Sequence, residues 1–110
     1  MALLRTRRLG FHFFSPSSGD TTLYTAPAGT RAIVHEVVVA AGGAAGQVTV
    51  YVIPSGGTGT FWLHRRTMAA DDVDVGALQT VLEAGDALHV FSAVAGPLAW
   101  ASGAQLDLPP

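Results

Sequence analysis

The sequence predicts an all-β chain folded as a single antiparallel β-sandwich, with the jelly roll among its possible arrangements. Three observations carry this. Clusters of Gly, Pro, Ser and Asp recur at intervals of about 8 to 12 residues. The runs between them are rich in β-branched and aromatic residues, which suit a pleated, half-buried surface. No window of ten or more residues repeats its apolar positions with a helical period of about 3.6.

Read in order, the chain yields about eight strands. The first run, Leu3 to Phe14, ends at the loop cluster Ser15-Pro16-Ser17-Ser18-Gly19-Asp20. Thr21 to Thr25 follows, turned by Ala26-Pro27-Ala28-Gly29, where Pro27 sets φ and Gly29 accepts a positive φ. Arg31 to Ala40 carries Ile33, Val34, Val37, Val38 and Val39 and is apolar on both faces. Gly42 to Gly46 breaks it. Val48 to Ile53, closed by Pro54-Ser55-Gly56-Gly57, is equally two-sided. Thr60 to Thr67 is the next strand, and 69–72 turns into Val73 to Leu82. Met68 to Val75 is the one candidate for a helical turn, but Asp71, Asp72 and Asp74 read better as a loop. Glu83-Ala84-Gly85-Asp86 connects to Ala87 to Val94, where Leu88, Val90 and Val94 share a face that His89 does not. After Ala95-Gly96-Pro97 comes Leu98 to Leu106, with Leu98, Trp100 and Leu106 as its larger apolar set. Residues 1–14 are expected as an N-terminal arm or first strand, and 20–108 as the sandwich domain.

Composition narrows the function classes. The chain has 110 residues, room for one domain and a real core. Cysteine is absent, which excludes disulfides, thiolate metal sites and cysteine nucleophiles. Charged residues make up 13%, about half the usual share, and every Lys/Arg cation is an arginine. A net charge of −2 argues against nucleic acid held on a basic surface. No apolar stretch approaches the roughly 20 residues of a membrane helix, and Met1 to Arg8 is not followed by the apolar run of a secretory signal. With mean hydropathy +0.38, such a chain either stays dilute or has much of its surface covered by other subunits. A two-layer sandwich normally leaves one face of each strand polar. Strands without a polar face favour covered outer faces, and hence assembly.

Chemical constellations are sparse. His12, His35, His64 and His89 fall on four different strands; adjacent His35 and Glu36 should point to opposite faces, so no metal is expected. Asp71, Asp72 and Asp74, like Glu83 and Asp86, match no calcium-loop spacing and read as solvated turn residues. Gly56-Gly57-Thr58-Gly59 lacks the lysine and the helix of a phosphate loop and reads as a hairpin connection. The serines show no nucleophile elbow, and no cofactor or catalytic residue is expected. Tyr24, Tyr51, Phe61, Trp62 and Trp100 form either core or a sugar-stacking platform. In a strand, Arg5 and Arg7 share a face and Arg8 turns away; these arginines suit either bidentate pairing across an interface or protection of a sheet edge.

Three stretches together resemble small virion proteins of tailed bacteriophages. Leu23-Tyr24-Thr25-Ala26-Pro27-Ala28-Gly29, leading into the Ile33-Val34 strand, resembles their "LYT-x-PAG" opening. Val48-Thr49-Val50-Tyr51-Val52-Ile53-Pro54-Ser55-Gly56-Gly57 is similar to their "VTVYLVPSGG" strand and turn, and Val81 to Val90 to their "VLEAGDxLxV" hairpin. Residues 1–14 fall outside this pattern. The resemblance implies a non-enzymatic β-sandwich building block of the virion, of minor-tail or head-decoration type. The expected partners are copies of itself, with a trimer as the guess, and other phage virion proteins, without nucleic acid or membrane. Expected contact residues are Arg5, Arg7, Arg8, Phe11, Phe13 and Phe14. Removing 1–14 is expected to stop incorporation into particles and leave the sandwich folded. The alternative is a carbohydrate-binding β-sandwich module stacking sugars on Trp62 and Tyr51.

Overall fold

A computed structural model describes residues 3–14, 18–43, 45–56 and 61–108. Eight strands follow one another: β1 (Leu3–Phe13), β2 (Gly19–Thr25), β3 (Thr30–Ala40), β4 (Gly46–Ile53), β5 (Phe61–Met68), β6 (Val73–Glu83), β7 (Ala87–Ser92) and β8 (Leu98–Asp107). They form two four-stranded sheets, here called the front sheet, in the order β1-β8-β3-β6, and the back sheet, in the order β2-β7-β4-β5. All pairings are antiparallel. Every connection crosses from one sheet to the other except β4 to β5, which stay neighbours. This interleaving is the jelly-roll arrangement of an eight-stranded sandwich.

The turns form where backbone chemistry demands them. At Pro27 to Thr30 the Thr30 amide and hydroxyl both donate to the Pro27 carbonyl, at 3.2 and 2.8 Å, and Gly29 takes φ 75°. At Glu83 to Asp86 the Asp86 carboxylate accepts from the Glu83 amide (3.0 Å) and from the Ser55 amide (2.8 Å). One acidic side chain thus joins the β6–β7 turn to the end of β4. Ala26 and Gly85 add backbone bonds between that turn and the end of β2.

The core fills from alternate positions. Val34, Val37 and Val39 of β3, Val48, Val50 and Val52 of β4, and Leu88 and Val90 of β7 are buried together with Phe14, Met68 and Leu82. Across this layer the Tyr24 hydroxyl donates to Gln105 Oε1 at 2.8 Å, joining β2 of the back sheet to β8 of the front. A buried polar pair that satisfies itself avoids the cost of two orphaned groups. On β8 the larger set, Leu98 and Trp100, lies on the outside; Ala99 and Ala101 are the buried members. Small side chains suit this strand, because it is central in the sheet and closely flanked. A Cβ on Gly103 would overlap the Ile33 carbonyl oxygen of β3.

Irregularities line up across the front sheet. The ladder slips between Arg8 and Gly10 in β1 and between Val34 and Glu36 in β3. Gln79 of β6, with φ 49°, lies on the same line. Strict alternation therefore fails at His35, which is exposed, so its relation to Glu36 does not follow the simple alternation expected from sequence.

Residues 3–13 are an integral strand: Leu3 pairs with Asp107 and Phe13 with Leu98. β1 and its continuation bring Leu9 and Phe14 into the core, which argues against the expected tolerance to removal of this segment. Deleting 1–14 is therefore expected to abolish cooperative unfolding in chemical denaturation. Gly103→Ala should cost about 3 kcal/mol by overpacking in the same measurement; a value near zero would contradict the close approach of β8 to β3.

Candidate interaction faces

The outer face of the front sheet is apolar along two adjacent rows. Phe11, Trp100, Val38 and Val75 stand side by side on β1, β8, β3 and β6. Phe13, Leu98, Ala40 and Val73 form the next row toward the end of the sheet. Phe11 is 59% exposed and Val75 58%, and Phe13, Val73 and Val81 of the same face are also exposed. Val38 is buried, yet it belongs to this outer row and not to the core. Beyond these rows the face turns polar with Arg8, Ser102 and Glu36, and farther along Arg31 pairs with Glu83 at 3.0 Å. The Arg8 guanidinium lies 5.0 Å from the Phe11 ring centre, at the border between apolar and polar rows.

Six contact residues were expected from sequence, and the structure divides them. Phe11, Phe13 and Arg8 belong to this face. Phe14 does not: it is 1% exposed, packs in the core, and meets His12 edge-on at 4.6 Å. Its backbone also closes the β1 end, with bonds to Pro97 and Gly96. Arg5 and Arg7 pair in register with Gln105 and Gly103, and their side chains lie outside the described residues. Val38, Val73, Val75 and Trp100 also line this face and were not among the expected residues. The signal was present in β6, where Val73-Asp74-Val75-Gly76 alternates cleanly, but with its polar member inside.

That inversion has a cause. Asp74, expected as a solvated loop residue, is buried on the inner side of β6. Its Oδ1 accepts from Arg66 Nη1 at 2.9 Å, and its Oδ2 lies 2.5 Å from His64 Nε2. Arg66 also reaches Asp72 at 2.8 Å. The His64 ring lies near Gly76, where a Cβ would meet it at 3.5 Å, in ordinary contact. The cluster links β5, at the edge of the back sheet, to β6, at the edge of the front sheet. Burial pushes the Asp74 carboxyl up, but hydrogen bonds from Arg66 and His64 outweigh it and hold the group below the usual carboxylate range.

The outer face of the back sheet has a different chemistry. Asp20 of β2 accepts from the Tyr51 hydroxyl through Oδ1, and its Oδ2 lies 3.1 Å from His89 Nδ1. The Tyr51 and His89 rings stack with centroids 5.1 Å apart. His89 Nε2 is 3.5 Å from the Thr22 hydroxyl. Burial and the neighbouring Asp20 carboxylate push the Tyr51 phenol above its ordinary value. Tyr51 is thus already engaged on one side of its ring, and the side chain of Trp62, its register partner, lies outside the described residues. Among the described residues no group of three His, Cys, Asp or Glu could hold a metal ion.

No protein-family model matches the chain, and no curated protein matches it. Solved structures do. The Drosophila NLP core, whose structure bears on pentamer formation and histone binding, aligns over 94% of this chain and 97% of its own, with TM-score 0.51 and 9% identity. A chain of the T13 particle of infectious bursal disease virus aligns over 96% of this chain and 30% of its own, with TM-score 0.51 and 10% identity. This chain therefore spans less than a third of that viral protein. At such identities the likeness establishes a shared β-sandwich fold.

The Asp74 cluster yields a pH prediction. Because the folded carboxyl sits below its unfolded value, the cluster stabilises the fold above the ordinary carboxylate range, and this stability is lost as pH falls through the folded value. Denaturant midpoints measured down an acid series should decline for the native chain and decline less for Asp74→Asn. Equal slopes for the two would remove Asp74 from the acid response.

Proposed function

We propose that the chain is a non-catalytic structural protein of a viral particle, which associates with copies of itself through the outer face of the front sheet. The observation that carries this reading is the pair of apolar rows from Phe11 to Val75 and from Phe13 to Val73. A sheet whose second face is apolar belongs against another surface. The sandwich fold shared with a chain of the infectious bursal disease virus particle supports it. So do the low charge and the phage-like turns at 23–29, 48–57 and 81–90, which favour a tailed-bacteriophage particle, at its head or its tail.

Size decides how the face is used. Two rows across four strands cover on the order of 300 Å² of sheet, from the spacing of strands and of same-face residues. A stable two-body interface hides about 800 Å² on each partner. One such contact is therefore weak, and the face works in a closed ring or shell where each copy has several neighbours; threefold symmetry is the simplest version. Hydrophobic burial, at roughly 25 cal/mol per Å², supplies the attraction.

Sedimentation of the full chain over a concentration series should show concentration-dependent multimers. The double variant Phe11→Arg with Val75→Arg alters exposed positions only, so it should stay folded by circular dichroism and sediment as a monomer. A native chain that remains monomeric up to its solubility limit, or a double variant that assembles normally, would overturn the proposal.

A further inference from the structure

The outer face of the back sheet differs from that of the front in the kind of groups it gathers. Two adjacent rows run across it. Asp20, Phe91, Thr49 and Arg65 stand side by side on β2, β7, β4 and β5, and next to them Thr22, His89 and Tyr51 on β2, β7 and β4. Phe91 is 39% exposed and has Asp20 on one flank and Thr49 on the other. The Asp20 side chain is 45% exposed even while it holds Tyr51 and His89. The carboxylate uses one oxygen for each partner, so lone pairs remain for a ligand. Arg65 donates to Gln47 at 2.9 Å, which orients its guanidinium along the same face.

An exposed aromatic ring flanked by a held carboxylate, with the Thr22 hydroxyl in the next row and Arg65 two strands away, has a specific complement. An apolar partner would strand the Asp20 carboxylate without water. A polyanion would be repelled by the exposed Asp20 carboxylate, with Arg65 on the far edge strand. A ring that offers C–H bonds on one face and hydroxyls around its rim satisfies both kinds of group. We propose that this face binds a neutral oligosaccharide, stacked on Phe91 and hydrogen-bonded by Asp20, with Tyr51 and His89 as positioning residues that hold the Asp20 carboxylate in place. The Tyr51–His89–Asp20 network forms this orientation before the ligand arrives, which lowers the ordering cost of binding. This site uses the sheet opposite the one proposed for self-association and does not depend on that reading.

The test is binding of the full chain to an array of defined neutral oligosaccharides, including gluco-, malto- and chito-oligosaccharides, followed by titration calorimetry with the best binder. Binding is expected. Phe91→Ala, at an exposed position, should weaken it at least tenfold while leaving the circular dichroism and the sedimentation profile of the native chain. Tyr51→Phe keeps the ring but leaves Asp20 held by His89 alone, and should weaken it less than Phe91→Ala. No signal above background across the array would overturn the proposal, as would a Phe91→Ala chain that binds as tightly as the native one. The front-sheet double variant should retain saccharide binding, so loss of assembly and loss of this site are read separately.

Discussion

A sandwich holds together by burying the inward face of each sheet against the other, and this demand uses only half of every strand. In the front sheet the unused half is apolar as well. Phe11, Trp100, Val38 and Val75 are no part of the core, yet they line up as closely as core residues do. The architecture of the rest of the molecule follows from serving both faces at once. Small residues, Ala99 and Ala101, occupy the inner side of central β8, and its bulk is turned outward in Leu98 and Trp100. Inside β6 a carboxylate takes a place that an aliphatic side chain would normally fill, and it is tolerated because Arg66 and His64 satisfy it.

The two outer faces contrast in their polarity. The front presents two apolar rows, suited to a dry contact, before it turns polar at Arg8, Ser102 and Glu36. The back presents a linked set of phenol, imidazole and carboxylate beside a phenyl ring. Satisfied polar networks rigidify the strands that carry them, and here the network joins β2, an edge strand, to β7 and β4.

Much of this was legible in the sequence. The eight strands lie where turn clusters and β-branched runs place them, because Pro27, Gly29 and Gly85 act through local backbone chemistry that needs no tertiary context. The two-sidedness of Arg31 to Ala40 was legible for the same reason. What escaped was the sense of each face. Alternation says that Val73 and Val75 share a side and Asp74 takes the other, but not which side is inside. Phe14 illustrates the same gap: it follows Phe11 and Phe13 in sequence, but the end of β1 turns it into the core. The pairing of Asp74 with His64 and Arg66 joins strands of different sheets, and no local pattern announces such a meeting.

The position of β1 sets the order in which the molecule can be completed. Among the described residues its ladder, at the edge of its sheet, runs along β8 alone, and Leu3 lies opposite Asp107. Within the sandwich the first strand in sequence thus waits for the last. Loop closure of that span is slow compared with forming a hairpin. Until β8 arrives, the back sheet can assemble among β2, β7, β4 and β5, while the opposite layer lacks the strand that joins β1 to β3. During manufacture the unfinished front layer exposes its inner and outer apolar surfaces together, and this is the interval in which a nascent chain is most open to premature clustering with its siblings.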